Sequence, residues 1–192
     1  MASRVTTKNG DTGTTRILSG EVLSKGDIVL ECTGRVDSAR AQVAMLRALV
    51  AERKPVEHAA VSDFLFWLLH TFFLVGTEVN DPERRHPEYR SKELSPAHLA
   101  KLESEQARLE AALSLPRAFI ACAANVEAAQ ADVAATAVRD LERELVRLQD
   151  AVPLFQGAEL IAFVNRVSDY LYILARYLEG GSHQPVDYGV LD

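Results

Sequence analysis

Cysteine is scarce in this chain, and its scarcity removes two possibilities at once. Two cysteines in 192 residues, Cys32 and Cys122, cannot build a disulfide framework, and both are expected to be buried and reduced. The five histidines are scattered, with no Cys-x-x-Cys or His-x-x-x-His spacing, so no metal cage made of protein side chains is expected. Positive charge is also in deficit. Lysine and arginine number 21 against 27 aspartates and glutamates, and the net charge of −6 argues against a nucleic-acid surface. Any anion must therefore be held by a local basic cluster, and the ligand should be small. Long apolar runs are missing too: the greasiest stretch, residues 64–75, is interrupted by His70 and Thr71 and falls short of the ~20 residues a bilayer span needs. The first residues lack the apolar core of a secretory leader. A soluble cytoplasmic protein is expected, with no membrane partner, and 192 residues suit one domain over 1–192.

Strict alternation of apolar and polar residues is absent, whereas helical spacing recurs five times. The expected fold is all-α, a five-helix bundle with an extended N-terminal arm over residues 1–30. A first helix follows Gly34 and carries Val36, Ala39, Val43, Leu46 and Val50 on one face, with Arg40 and Arg47 elsewhere. A second, residues 59–79, is apolar nearly all round, as befits a central helix or a subunit contact. Residues 80–94 contain two prolines and many charges and read as an exposed excursion. Ser95-Pro96 then starts a third helix, whose Leu99, Leu102, Leu109 and Leu113 face inward. The fourth, about 127–149, is expected to bury Val133, Ala137, Leu141, Leu145 and Leu148, with Asp132, Thr136, Arg139 and Arg143 as a polar stripe. In the fifth, 158–178, a near-heptad seam from Leu160 to Leu178 runs beside Asn165, Asp169, Tyr172 and Arg176. A polar stripe touching a seam is where a bundle builds a site. The tail from Gly180 has little to bury and is expected to be mobile.

The arm carries the most chemistry. Thr7-Lys8-Asn9-Gly10-Asp11-Thr12-Gly13-Thr14-Thr15-Arg16, followed by Lys25, combines two glycines with hydroxyls and three cations. Glycines let successive backbone N–H groups turn toward one anion, and Lys8, Arg16 and Lys25 supply charge for phosphates. It is not a P-loop, because no Gly-Lys-Ser/Thr ends it and no apolar strand precedes it. An ordinary turn or frayed arm would have the same composition.

Matching pieces follow in order along the chain. The opening motif through Ile17, Gly34 to Asp37, Arg139-Asp140-Leu141-Glu142-Arg143, and Asn165-Arg166-Val167-Ser168-Asp169-Tyr170-Leu171 together resemble the PduO-type ATP:cob(I)alamin adenosyltransferases. The resemblance implies a homotrimer with ATP between subunits, and a reaction in which Co(I) of a corrinoid takes the 5′-deoxyadenosyl group of ATP and releases triphosphate. It assigns nucleotide binding to Thr7, Lys8, Asn9, Gly10, Asp11, Gly13, Thr15, Arg16, Lys25, Arg139, Glu142, Arg143 and Asn165. Catalytic roles fall to Phe119, Arg139 and Asp37. Mg²⁺ is expected to come with the ATP phosphates, and a corrinoid reductase and an adenosylcobalamin-dependent enzyme are implied partners.

The same motifs also show departures. Ala135 stands where the family has an arginine that pairs with the aspartate matching Asp37. Cys122-Ala123-Ala124 replaces a Pro-Gly-Gly, Asp132 replaces a helix-four histidine, and Asp140 a second arginine. A buried Asp37 would then need a substitute partner, Arg40 or Arg117. Structural alternatives stay open: Arg139, Glu142 and Arg143 as a surface ion-pair network, Asn165 and Asp169 as a register-setting layer, Phe119 as a core aromatic. The functional alternative is a non-enzymatic ATP-binding relative with a degenerate corrinoid pocket, used for sensing or partner binding.

Overall fold

The computed structural model describes residue 6 and residues 8–54, 56–115 and 117–192; of Cys122 the backbone alone is described. Five helices make up the bundle: α1 (Ile28–Arg53), α2 (Ala59–Asn80), α3 (Pro96–Glu110), α4 (Val126–Ala151) and α5 (Ala158–Leu178). Two small antiparallel ribbons sit at its ends, β1 (Thr14–Arg16) with β2 (Val22–Ser24), and β3 (Ile120–Cys122) with β4 (Gln184–Pro185).

The first helix begins six residues before the expected Gly34, because Asp27 caps it by accepting the N–H of Val29 at 2.9 Å. Val29 and Cys32 extend the buried stripe into this added turn. Gly34 lies inside the helix with open space around it, a cost of about 1 kcal/mol that a 26-residue helix absorbs. At the start of α3, Pro96 occupies the first turn and His98 Nδ1 accepts the N–H of Ser95 at 3.1 Å, a capping box in which histidine replaces the usual glutamate.

α4 is the axis. It runs antiparallel to α1, with Gln130 Nε2 donating to Gln42 Oε1 at 2.8 Å, and antiparallel to α5, with Asn125 Nδ2 donating to the Leu178 carbonyl at 2.8 Å. Its buried face differs from the expected one by a register step: Ala128, Ala131, Ala134, Ala135 and Val138 are buried with Leu141, Leu145 and Leu148, whereas Val133 stands 46% exposed. Small residues there let α1 and α5 approach together, which a valine-led stripe would not. α2 flanks α1 instead of standing at the centre. Among the described residues it is the helix long and apolar enough to cross a membrane, yet Leu65, Leu68, Phe72, Val75 and Val79 pack into the common core. Its outward Phe66 and Phe73 stay half exposed under the guanidinium groups of Arg47 and Arg40.

Residues 80–94 are largely exposed, as expected, and are anchored by one arginine whose side chain is buried. Arg90 pairs with Glu78 at 2.7 Å and with Asp81 at 3.2 Å, and donates to the Asp81 carbonyl at 2.6 Å. Burial pushes the Asp81 carboxyl up, but the amides of Arg85 and His86 and the Arg90 guanidinium outweigh it and hold it below its ordinary 3.8. The tail expected to be mobile adds β4 to β3, with the Val186 N–H donating to the Phe119 carbonyl at 2.8 Å.

Two outcomes follow. Because the folded Asp81 carboxyl titrates below its unfolded value, its contribution is complete above 3.8 and is lost as pH falls through the folded value. Arg90→Ala should lower the unfolding free energy by about 3 kcal/mol at neutral pH and flatten the stability loss below that value, as measured by urea melts across pH. Burial pushes the Cys32 thiol up to about 12, reinforced by Glu144 and Glu31. Native protein at pH 8 should leave Cys32 unmodified by iodoacetamide, with alkylation only after denaturation, read by peptide mass spectrometry.

Candidate active site

The arm forms a hairpin before α1, in the register Thr14 with Ser24, Thr15 with Leu23 and Arg16 with Val22. The turn needs a left-handed residue at Gly13 (φ 84°), whose carbonyl accepts the Lys25 N–H at 2.9 Å and brings Lys25 back over the turn. Gly10 is required for a different reason. A Cβ there would stand 2.9 Å from Lys25 Nζ, so the missing side chain is the space in which the ammonium group lies. Asn9, Gly10, Thr14, Thr15, Arg16 and Val22 line a cleft of about 520 Å³ at this spot. Hydroxyls, a guanidinium and an adjacent ammonium group around such a volume suit a polyanion. Arg16 also donates to the Gly20 carbonyl, which holds its guanidinium on the hairpin. Lys8 is exposed with φ 60°, and its carbonyl accepts the Asp11 N–H at 3.2 Å. Thr7 lies outside the described residues.

Arg139, Glu142, Arg143 and Asn165 form a second patch on the flank of α4 and α5. Because α4 and α5 are antiparallel and joined at Asn125–Leu178 and Asp132–Arg176, Asn165 stands level with the Arg139 to Arg143 turn. Arg139, Arg143 and Asn165 are exposed, and Glu142 is half-buried. Arg143 is engaged by Asp140 one turn back, so the surface-pair reading describes that one side chain. Asn165 faces solvent and is no register-setting layer, while Asp169 pairs with Arg166 at 2.6 Å.

Within one chain the two patches are separate. The hairpin's Leu23 shares a pocket wall with Val29 of α1 and with Ala151 and Val152 at the C-terminal end of α4. Arg139 lies twelve residues back along α4, about 18 Å of helix axis. Phe119 is further still, ahead of the N-terminus of α4 at the opposite end of the bundle. It is 81% exposed, which rules out the core-aromatic reading.

Asp37 corrects an expectation about charge. Its side chain is 62% exposed and pairs with Arg40 at 2.8 Å, so no buried carboxylate is stranded by Ala135, which is itself buried in the α4 core. Arg40 is the substitute partner, in solvent, where such a pair contributes little. Asp37 and Arg40 share a groove of about 260 Å³ with Leu18 of the arm and Phe73 of α2.

The sequence reading missed a buried polar cluster where α4, α5 and the tail meet. Arg176 donates to Asp132 at 2.6 Å and lies 3.0 Å from Glu179, and His183 Nδ1 lies 2.5 Å from Glu179. Burial raises the Asp132 carboxyl against the opposing pull of Arg176. Arg176 had a signal, its place in the polar stripe of α5. Glu179 and His183 had none, since two glycines between them break any periodic pattern.

Comparison with known proteins agrees with this architecture. A family model described as Cobalamin adenosyltransferase matches residues 5–178. The chain is 31% identical over 183 residues to a cobalamin adenosyltransferase of Cupriavidus metallidurans, covering 94% of this chain and 92% of that one. It is 30% identical over 179 residues to the corrinoid adenosyltransferase PduO of Salmonella typhimurium, covering 93% of this chain and 50% of that protein, so it spans half of that relative's length. Among solved structures, a phenylalanine-to-histidine variant of a PduO-type ATP:corrinoid adenosyltransferase from Lactobacillus reuteri, complexed with cobalamin and ATP, superposes with a TM-score of 0.84 at 26% identity, covering 96% of this chain and 97% of that one. An arginine-to-lysine variant from the same organism, complexed with ATP, gives a TM-score of 0.80 at 26% identity, covering 94% and 99%. With the family model matching residues 5–178 and a relative 31% identical across 94% of the chain, this chain belongs to the cobalamin adenosyltransferase family.

Proposed function

We propose that this protein is an ATP:cob(I)alamin adenosyltransferase, a soluble cytoplasmic homotrimer whose active site is shared between neighbouring protomers. The observation that carries the shared site is distance. The hairpin cleft and Phe119 lie at opposite ends of a bundle whose axial helix, 26 residues long, spans about 39 Å. Adenosyl transfer needs the cobalt and the 5′ carbon in contact, so the hairpin of one protomer must close over the α4 and α5 flank of another. The half-exposed Phe66 and Phe73 supply an apolar surface suited to such an assembly.

In this reading Lys25, Arg16 and the threonine hydroxyls of the hairpin hold the triphosphate, and Mg²⁺ enters with the nucleotide, neutralising phosphate oxygens. Arg139, Glu142, Arg143 and Asn165 of the neighbour complete the nucleotide site. Co(I) of the corrinoid attacks the 5′ carbon of ATP, a cobalt–carbon bond forms, and the 5′ carbon–oxygen bond breaks. The electron pair leaves with the triphosphate, whose growing charge Lys25 and the arginines stabilise. Phe119, exposed at the far end, is placed to crowd the lower face of cobalt and expel its axial ligand, which eases reduction of the Co(II) precursor. Asp37, with Arg40 beside it, borders the arm through Leu18. A corrinoid reductase supplies the electron, and an adenosylcobalamin-dependent enzyme receives the product.

Incubation with MgATP and chemically reduced cob(I)alamin should form adenosylcobalamin, followed by absorbance. ATP binding without product would instead mark a sensor, and no ATP binding a plain interaction protein. Gly10→Ala should weaken ATP by about tenfold, since a methyl group there displaces the end of the Lys25 side chain and stands 3.3 Å from the Thr14 carbonyl. Lys25→Ala and Arg139→Ala should each be nearly inactive alone. Mixed and reassembled, they should recover activity, because some interfaces then pair an intact hairpin with an intact α4. Absence of recovery in verified mixed oligomers would refute the shared site.

A further inference from the structure

Glu179 carries a buried carboxylate at the junction of three segments. Its side chain has no exposed surface, and it follows α5 directly. One oxygen lies 3.0 Å from the Arg176 guanidinium of α5 and accepts the Ala124 N–H, between β3 and α4, at 3.4 Å. The other accepts from His183 Nδ1 of the tail at 2.5 Å. A buried carboxylate is tolerated only with such compensation, so the three donors are held to it. Arg176 in turn reaches Asp132 on α4, and Asn125 bonds the Leu178 carbonyl while its side-chain oxygen caps α4 at the Ala128 N–H.

What the carboxylate holds is the strand that carries Phe119. His183 immediately precedes β4, which pairs with β3 in the register Ile120 with Pro185 and Cys122 with Gln184. The next amide, Val186, donates to the carbonyl of Phe119 itself at 2.8 Å. On the other side of β3, Ala124 is bonded straight to Glu179. The segment 119–124 is thus gripped at both ends by one side chain, directly at Ala124 and through His183 and β4 at Phe119.

We propose that Glu179, with His183, is a positioning residue of the corrinoid side: it fixes the tail strand against β3 and thereby sets where the exposed Phe119 ring stands. The corrinoid half of this proposal rests on the adenosyltransferase reading above. The mechanical half does not. Without the grip, Phe119 would sit on a three-residue strand whose only described partner strand has two residues. Two-stranded ribbons of that size do not hold themselves.

The test uses the whole protein with Glu179→Gln, which keeps the volume but removes the charge, and His183→Ala, which cuts the tail and leaves the helices intact. Amide exchange of Val186 should speed up about tenfold in both, since each loses a charge-assisted bond of the latch. The KM for cob(I)alamin should rise about tenfold while the KM for ATP stays unchanged. The visible spectrum of bound cob(II)alamin should show less of the four-coordinate form than wild type. Unchanged exchange at Val186 would overturn the latch, and faster exchange with unchanged corrinoid KM and spectrum would overturn its role in placing Phe119. Should Glu179→Gln not fold, His183→Ala decides both. Wild type that forms no adenosylcobalamin would instead refute the activity, with Val186 exchange still deciding the latch.

Discussion

The structure depends on the alanine-rich face of α4. Ala128, Ala131, Ala134 and Ala135 are at most 1% exposed and leave room for α1 and α5 to pack against the same helix from two sides. Larger side chains at these positions would hold the three axes apart, and the leucines further along, Leu141, Leu145 and Leu148, would no longer meet their partners. α2 and α3 are then added to this three-helix layer, closed across by the Phe64 and Tyr170 rings and by Trp67 stacking on His98.

That packing also sets the division of labour. Since α4 is antiparallel to both neighbours, one end of the bundle collects the start of α1 and therefore the hairpin. The other end collects the end of α5 and therefore β3, β4 and Phe119. A helix of this length keeps the ends apart, so the hairpin and Phe119 of one chain cannot meet. The proposed site shared between protomers is the physical way to reconcile that separation with the proposed roles of the two ends.

The two ends are stabilised by similar means. Near the hairpin, Arg90 is buried between Glu78 and Asp81 and holds the segment after α2 in place; near Phe119, Glu179 is buried among Arg176, His183 and the Ala124 amide. In each case a buried charge whose partners come from different segments converts loose connections into fixed ones. Exposed pairs such as Asp37–Arg40 or Arg143–Asp140 lack that leverage, because water competes for both groups.

Helical periodicity alone determined that the chain forms five helices, and it located α2, α5 and the start of α3 almost to the residue, because apolar spacing and the Ser95-Pro96 start are local signals; α3 ends at Glu110, short of the expected Leu113. Residue types alone left the arm open between an anion-binding loop and an ordinary turn, since glycines, hydroxyls and cations in ten consecutive positions suit both. The start of α1 was misplaced because an Asp27 cap and a glycine within a helix compete as boundary signals, and packing decides between them. The face of α4 was shifted because alanine is apolar enough for either side, and only the close approach of α1 and α5 selects it. The burial of Arg90, Glu179 and His183, the exposure of Asp37 and Phe119, and the opposite placement of hairpin and aromatic strand were decided by tertiary structure. Each depends on which segments lie across from one another, and no spacing along the chain encodes a contact between residues 55 positions apart, such as Ala124 and Glu179.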